Sequence, residues 1–505
     1  MNSRLKPIYW LITWFCLYVP IATAQTNPID PRTAMPSACI APSAQTEGLE
    51  FTPDSSYLRL SSSGNGAYAS IDGERMKRLV EQQAEIARRY RQAGNQFWGR
   101  IIGTSADRET ADWMMDQLRQ SGVEDVRLDS IPLPSQWFPQ SWKLTVESDG
   151  KAVDLTSAWP AYGSVGTSPA GAELELIDVG LGMATDFQGR DVSGKAVVLH
   201  SIATSSTVFN SVRRIGALER AEEMGAAAIF IVLELPGNLQ TAFYDVGTSV
   251  PTFSIGSEDG ALLQRLLIEA AMTEPVEIQV QMKVDYVEGL STSSVRGEVL
   301  AASPDAEKII IVAHRDAYFE GAADNASGVA TALELMRYFA QIPKADRKRT
   351  VEIIGTPGHH NIARTGFSWL YENRFSILDN AVLLINAEHT AHALVDRFGD
   401  DLCTTNATGP FSWQINGSNK LAEITLQTFD EFGIPRWAET GGPVGEIRTI
   451  ADLVPSIVLM HAGVLLHTNI ETTEAIPAAS LAATTRAYAS IIEQVNSMNL
   501  SELTQ

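Results

Sequence analysis

His314, Asp316 and Asp324 stand within eleven residues of one another, in the segments Ile309-Ile-Ile-Val-Ala-His-Arg-Asp316 and Gly321-Ala-Ala-Asp-Asn-Ala-Ser-Gly328. Imidazole and carboxylate at that density are the donors of a metal centre, and zinc in particular takes nitrogen and carboxylate oxygen together. The remaining histidines support this. Of eight, seven (His314, His359, His360, His389, His392, His461 and His467) fall in the last two-fifths of the chain, and only His200 lies outside.

The elements that must position these groups follow from the apolar pattern. The run 309–313 is a buried parallel strand by composition, and ligands of such sheets collect at the carboxyl ends of the strands. Residues 329–340 have helical rhythm, which puts Asp324 in the loop that enters a helix. The alternation continues with strand 350–354, helix 363–374, strand 381–386, helix 418–432, strand 456–460 and a final helix 478–498. The strand ends carry His314, Gly358-His-His360 and Glu388, and His467 lies beyond the last strand. Upstream, helices 74–93 and 108–121 and a strand near Val126 open the same pattern. The fold class expected is α/β, a mostly parallel sheet flanked by helices.

Composition bounds the rest. A formal charge of −22 argues against nucleic acid or an anionic membrane as partner. Met1 to Ala24 reads as a secretory signal: Arg4 and Lys6 precede a mostly apolar run, and Ala22-Thr-Ala24 is a small-residue cleavage site. The run is shorter than the roughly 20 residues of a spanning helix. The mature protein is therefore expected to be secreted or periplasmic, with no membrane association after cleavage. Cys16 leaves with the signal; Cys39 and Cys403 remain, free to pair in an oxidising compartment.

A chain of 505 residues exceeds what one core usually holds. The expected organisation is a signal peptide over 1–24, a lead-in with the first part of the main domain over 25–145, an insert over 146–286, and the metal-bearing domain over 287–505. In the insert, the order of strand 195–199, helix 218–224, strand 226–232 and the Val250-Pro-Thr-Phe strand resembles the β-rich protease-associated (PA) domain inserted in several peptidases.

The metal-bearing segments resemble the co-catalytic zinc aminopeptidases of metallopeptidase family 28. The resemblance is carried by His314-x-Asp316, by Gly-Ala-x-Asp-Asn-x-Ser-Gly over 321–328, and by His467-Thr-x-x-Glu-Thr472. It implies His314 and Glu388 on one metal, Asp324 as the bridge and His467 on the other metal, with Asp316 orienting His314. Zinc is the implied cofactor, two ions or one, activating a water for attack on a peptide or small amide substrate. One departure sits at the centre. Where the family has a Glu-Glu pair, base then ligand, this chain has His359 and His360. By position His359 takes the role of catalytic base and His360 that of ligand.

This leaves three readings open. One is a secreted zinc aminopeptidase-type hydrolase cleaving a terminal peptide or amide bond; a second is a catalytically inactive binding protein on the peptidase fold; a third is an amino-terminal transferase or cyclase on the same scaffold. His389 and His392 are expected to be second-shell or surface groups, His461 structural, Arg315 an ion-pair member, and Glu446 and Tyr318 candidate pocket residues. Oligomeric state is not legible. The chain has no Gly-x-Ser-x-Gly elbow, phosphate loop or His-Glu-x-x-His helix, which removes those rival chemistries.

Overall fold

The computed structural model describes residues 38–39, 66–202, 211–212, 215–243, 247–270, 274–361, 363–398, 401–438, 444–461 and 463–504. The expected signal peptide and most of the lead-in lie outside the described residues.

Two eight-stranded sheets organise the chain. The first runs Arg436–Ala438, Phe411–Asn416, Ser456–Met460, Ala381–Ala387, Lys308–His314, Thr350–Thr356, Ser291–Val299 and Glu124–Pro132 in spatial order. Its four central strands, from Ser456–Met460 to Thr350–Thr356, are mutually parallel, while Phe411–Asn416, Ser291–Val299 and Glu124–Pro132 join antiparallel. The sheet is thus mixed, with the parallel part at its centre.

Alternation along the strands feeds two cores, because successive side chains point to opposite faces. Ile309, Ile311 and Ala313 pack with helices Gly73–Gln92, Gly328–Ala340 and Ala478–Val495. Ile310 and Val312 pack on the other face with Leu370, Ile377, Ile447 and Ile450. Both faces being covered, the central strands read as unbroken apolar runs. Helix Ser105–Gln120 begins where Thr104 accepts a hydrogen bond from Asp107 N at 3.4 Å, an N-cap of the ordinary kind.

The second sheet spans Gln136 to Val287, in the order Lys151–Asp154, Gln136–Ser148, Glu277–Val287, Ala172–Asp178, Ala196–Ser201, Ala228–Leu233, Thr252–Ile255 and Trp159–Pro160. It begins ten residues earlier than the expected boundary at 146, because Gln136–Ser148 pairs along its length with Glu277–Val287. One of its cores draws in Phe97, Trp98, Tyr318 and Phe319 from the main unit beside Trp137, Trp142 and Trp159.

Between residues 387 and 419 sequence reading gave no strand, yet Ala393–Phe398, Asp401–Thr408 and Phe411–Asn416 are all extended. Ala393–Phe398 and Asp401–Thr408 form a hairpin whose outer edge pairs with Ala38–Cys39, setting Cys39 opposite Cys403. Cys403 is disulfide-bonded.

Candidate metal centre

The ligand candidates converge at the carboxyl ends of the parallel strands, where open α/β sheets gather their sites. His314 closes its strand, His359 and His360 follow Thr350–Thr356, and Glu388 and His389 follow Ala381–Ala387. Asn325 ties these ends together. Its Nδ2 donates to the carbonyls of His314 at 3.1 Å and Ala387 at 3.0 Å, and its Oδ1 accepts from the amides of Gly328 and His389 at 3.2 and 3.0 Å. Gly445 is required by contact: with φ +73°, it lies so close to Asn386 and Glu388 that a Cβ would collide with both side chains.

Asp324, 1 % exposed, divides two groups of donors. Its Oδ1 lies 3.1 Å from Nε2 of His314 and 3.1 Å from Nε2 of His389. Its Oδ2 lies 3.1 Å from Nε2 of His360 and 2.7 Å from Nε2 of His467. Glu388 reaches the first group, with Oε1 3.9 Å from His314 Nε2 and 4.0 Å from His389 Nε2.

The donors fit a cation. His314 Nδ1 faces the carbonyl of Asp316 at 3.2 Å and His389 Nδ1 the carbonyl of His461 at 3.0 Å. A carbonyl only accepts, so each Nδ1 carries a proton and each ring turns its Nε2 inward, the atom that a ligating histidine offers once deprotonated there. Those two Nε2 atoms and Asp324 Oδ1 are buried and make no hydrogen bond. Lone pairs facing one another in a buried site call for a positive charge between them, and imidazole with carboxylate suits zinc.

Other groups hold this arrangement in place. The Asp316 carboxylate accepts from the amides of His359 and His360, each at 2.9 Å, and meets His360 Nδ1 at 3.0 Å. Its nearest oxygen is 3.6 Å from His314 Nδ1. The expected role of orienting His314 therefore falls to the Asp316 backbone carbonyl, while the carboxylate is drawn to the N–H groups of the His359-His360 turn. Glu471 accepts from the amides of Ala323 at 3.0 Å, Asp324 at 2.7 Å and His467 at 2.8 Å, so one carboxylate fixes the loops of two candidate ligands. Glu446 Oε2 lies 2.8 Å from His359 Nδ1, and Glu446 Oε1 accepts from Thr356 Oγ1 at 2.6 Å.

Burial and mutual charge set the protonation of these groups. Burial opposes the charged form of His360, but Asp324 and Asp316 outweigh it and raise its pKa to about 9. The same contest holds His314 well above the usual imidazole range. Burial pulls His467 down to about 4, and burial with the charges of His314 and His360 holds His359 well below the usual range. Glu446 is pushed up to about 8 by burial, and Glu471 to about 8 by burial and the charge of Asp324.

The second sheet is fastened to this centre. Ala242 N donates to the carbonyl of His467 at 2.9 Å, Asn469 N to the carbonyl of Gln240 at 3.0 Å, and Gln240 N to Asn469 Oδ1 at 3.0 Å. Thr241 and Thr468 form an antiparallel bridge. Tyr318, whose ring packs in the aromatic core of that sheet, donates its hydroxyl to the carbonyl of His360 at 3.0 Å.

Residues 295–360 match the sequence model of peptidase family M28. Rat (Rattus norvegicus) carboxypeptidase Q is 23 % identical over 269 residues, 50 % of this chain and 54 % of the relative. Aminopeptidase YwaD of Bacillus subtilis (strain 168) is 24 % identical over 250 residues, 48 % of each. The chain thus spans about half the length of the curated relatives it matches. The fold is shared more widely. The zinc aminopeptidase BSAP of Bacillus subtilis superposes with a TM-score of 0.62 at 17 % identity, over 86 % of this chain and 98 % of that one. A peptidase M28 precursor from Shewanella amazonensis SB2B gives 0.64 at 17 % identity, over 86 % and 99 %.

Of the residues singled out from sequence, His314, His360, Glu388 and His467 gather around the Asp324 carboxylate, with His359 and Asp316 beside them. His389, which sequence reading set aside as a supporting or surface group, joins His314 and Glu388 around Asp324 Oδ1. Its signal was its place directly after Glu388 at a strand end. Glu446 was only a candidate pocket residue, and Glu471 was legible only inside the late His467 motif. His392 and His461 are buried beyond the first group, their rings 5.0 Å apart, and burial lowers them to about 3 and about 4. Arg315 pairs with Asp107 and also donates to Thr292 Oγ1 at 3.1 Å and the Ser293 carbonyl at 2.6 Å, away from any substrate role.

Proposed function

We propose that this chain is a member of peptidase family M28 and an exported zinc-dependent hydrolase of the aminopeptidase type, cleaving a terminal peptide bond or a small amide. The observation that supports it most is Asp324, whose two oxygens each face a separate pair of histidines, the disposition a bridging carboxylate needs. When bound, a metal pair supplies Lewis-acid activation of water and of the scissile carbonyl. The residues that would hold it are His314 and Glu388 on one side, His360 and His467 on the other, with Asp324 between.

His359 stands as the base. Its Nδ1 engages Glu446, and its Nε2 lies 4.0 Å from Glu388 Oε1 at the edge of the centre. Stacked on His314 with ring centroids 4.2 Å apart, it is held neutral and able to accept a proton. The sheet from Gln136 to Val287 serves as a PA-type insert. No helix among the described residues is long and apolar enough to cross a membrane.

A second reading, a binding protein on the same scaffold, is favoured by one observation: imidazole replaces carboxylate at the base position. Elemental analysis of the dialysed protein separates the two, with His360→Ala alongside and hydrolysis of aminoacyl anilides with free and blocked amino termini as readout. About two zinc ions per chain, falling in the variant, with cleavage of the free-amine substrates only, supports the hydrolase. A metal-free protein of equal stability turns the reading to binding.

A further inference from the structure

We infer that His389 is a metal ligand, completing a four-donor set with His314, Glu388 Oε1 and Asp324 Oδ1. The two ion positions are then unequal: the first is enclosed by four side chains, and the second, at His360, His467 and Asp324 Oδ2, is held by three. This rests on the zinc-hydrolase reading above.

The distances are those of a common centre. Donor atoms around a tetrahedral zinc ion lie about 3.4 Å apart, given metal–ligand lengths near 2.0–2.1 Å. Here Asp324 Oδ1 is 3.1 Å from each of the His314 and His389 Nε2 atoms, and Glu388 Oε1 is 3.9 and 4.0 Å from the same two. The four contacts straddle the expected separation.

Each donor is also aimed by a group behind it. His389 has φ +48°, a conformation uncommon for a residue with a side chain. Its amide is taken by Asn325 Oδ1 and its Nδ1 by the carbonyl of His461, which turns Nε2 inward. Glu388 Oε2 is occupied by Asn386 Nδ2 at 2.7 Å and the amide of Glu446 at 3.0 Å, leaving Oε1 to face the cluster.

The consequence is a division of labour. Zinc sites closed by four protein ligands are structural in type, whereas catalytic sites keep a coordination position free of protein. That free position falls to the His360–His467 side, whose backbone is held by the Tyr318 hydroxyl at the His360 carbonyl and by Ala242 N at the His467 carbonyl. The first ion then anchors Asp324 and braces the second.

The test is zinc titration by calorimetry of the metal-free full chain, as wild type and as His389→Ala, with circular dichroism to verify folding. The expected result is uptake of about two ions by the wild type, while His389→Ala retains one and binds the other at least tenfold more weakly. Two ions at wild-type affinity in His389→Ala overturn the inference and leave the hydrolase reading intact. No uptake by the wild type overturns both. Should His389→Ala fail to fold, wild type loaded with one equivalent of cobalt(II) decides. Intense visible bands of four-coordinate cobalt are expected, and the weak bands of six-coordination overturn the inference.

Discussion

Glu446 Oε2 and His359 Nδ1 are 2.8 Å apart in a buried setting, while the other nitrogen of the same ring faces the metal centre. On the hydrolase reading the two act as a unit, Glu446 fixing the orientation of the ring through Nδ1 so that Nε2 can exchange a proton at the centre. Glu446→Gln keeps the shape and removes the titratable group. We expect kcat to fall about 10²-fold with KM and zinc content near wild type. A variant that loses zinc instead would assign Glu446 to the scaffold alone.

Zinc uptake should release protons. His360 is raised to about 9 and His314 well above the usual range by neighbouring carboxylates, so near neutral pH the metal-free centre holds protons that an ion must displace. Affinity therefore rises with pH until these groups have deprotonated, and falls on acidification. Calorimetry in two buffers of different ionisation enthalpy checks this. Identical binding enthalpies in both buffers would contradict it.

Arg100 is fully buried and donates to the carbonyls of Arg315 at 3.0 Å, Glu320 at 2.5 Å and Gly321 at 3.1 Å. It clamps the loop that leads from His314 to Asp324. Burial lowers its pKa to about 10, against the opposing charges of Asp316 and Asp324, so it remains a cation. Arg100→Met removes a donor shared by three buried carbonyls, of which that of Gly321 keeps a second donor in Ala326 N at 3.1 Å, and should cost about 3 kcal/mol, read as a lower urea midpoint at unchanged slope. Arg100→Lys should recover little of this, since one ammonium does not reproduce the guanidinium fork.

The strongest elements were the most legible. The runs 309–313 and 456–460 announced themselves because strands covered on both faces must be apolar throughout. Residues 393–408 escaped because Ala-Leu-Val-Asp-Arg-Phe and Asp-Leu-Cys-Thr-Thr-Asn-Ala-Thr keep no regular alternation, and the hairpin's outer edge pairs with the remote Ala38–Cys39. In the centre, His314 and Asp324 were readable from spacing within one segment. The alliance of His359 with Glu446, 87 residues apart, and the inward turn of His389 depend on which strand ends meet. Local spacing carries no record of that.

His200 offers a pH effect on stability away from the centre. Its Nε2 meets Asp178 at 3.1 Å and its Nδ1 meets Glu234 at 2.6 Å, and the hydrogen bond to Asp178 leads in raising its pKa to about 9. A raised folded pKa means that the folded state binds the proton more tightly. The contribution is fully present below the unfolded value of roughly 6.5 and is lost as pH rises through about 9. The gap in melting temperature between wild type and His200→Gln should narrow from pH 6 to pH 10; a constant gap would show that His200 acts through packing alone.

Leu133 and Leu290 flank the second sheet and are joined by a backbone hydrogen bond of 2.9 Å. By chain geometry alone, everything between them could be excised and the gap closed with a short linker. Chemistry forbids the shortcut, because Gln240 and Ala242 are the strand edge on which His467 is hung. A trimmed protein would keep every ligand in its sequence and lose the backbone frame of one of them. What looks like an accessory module in the order of the genes' codons is, in space, one wall of the metal centre.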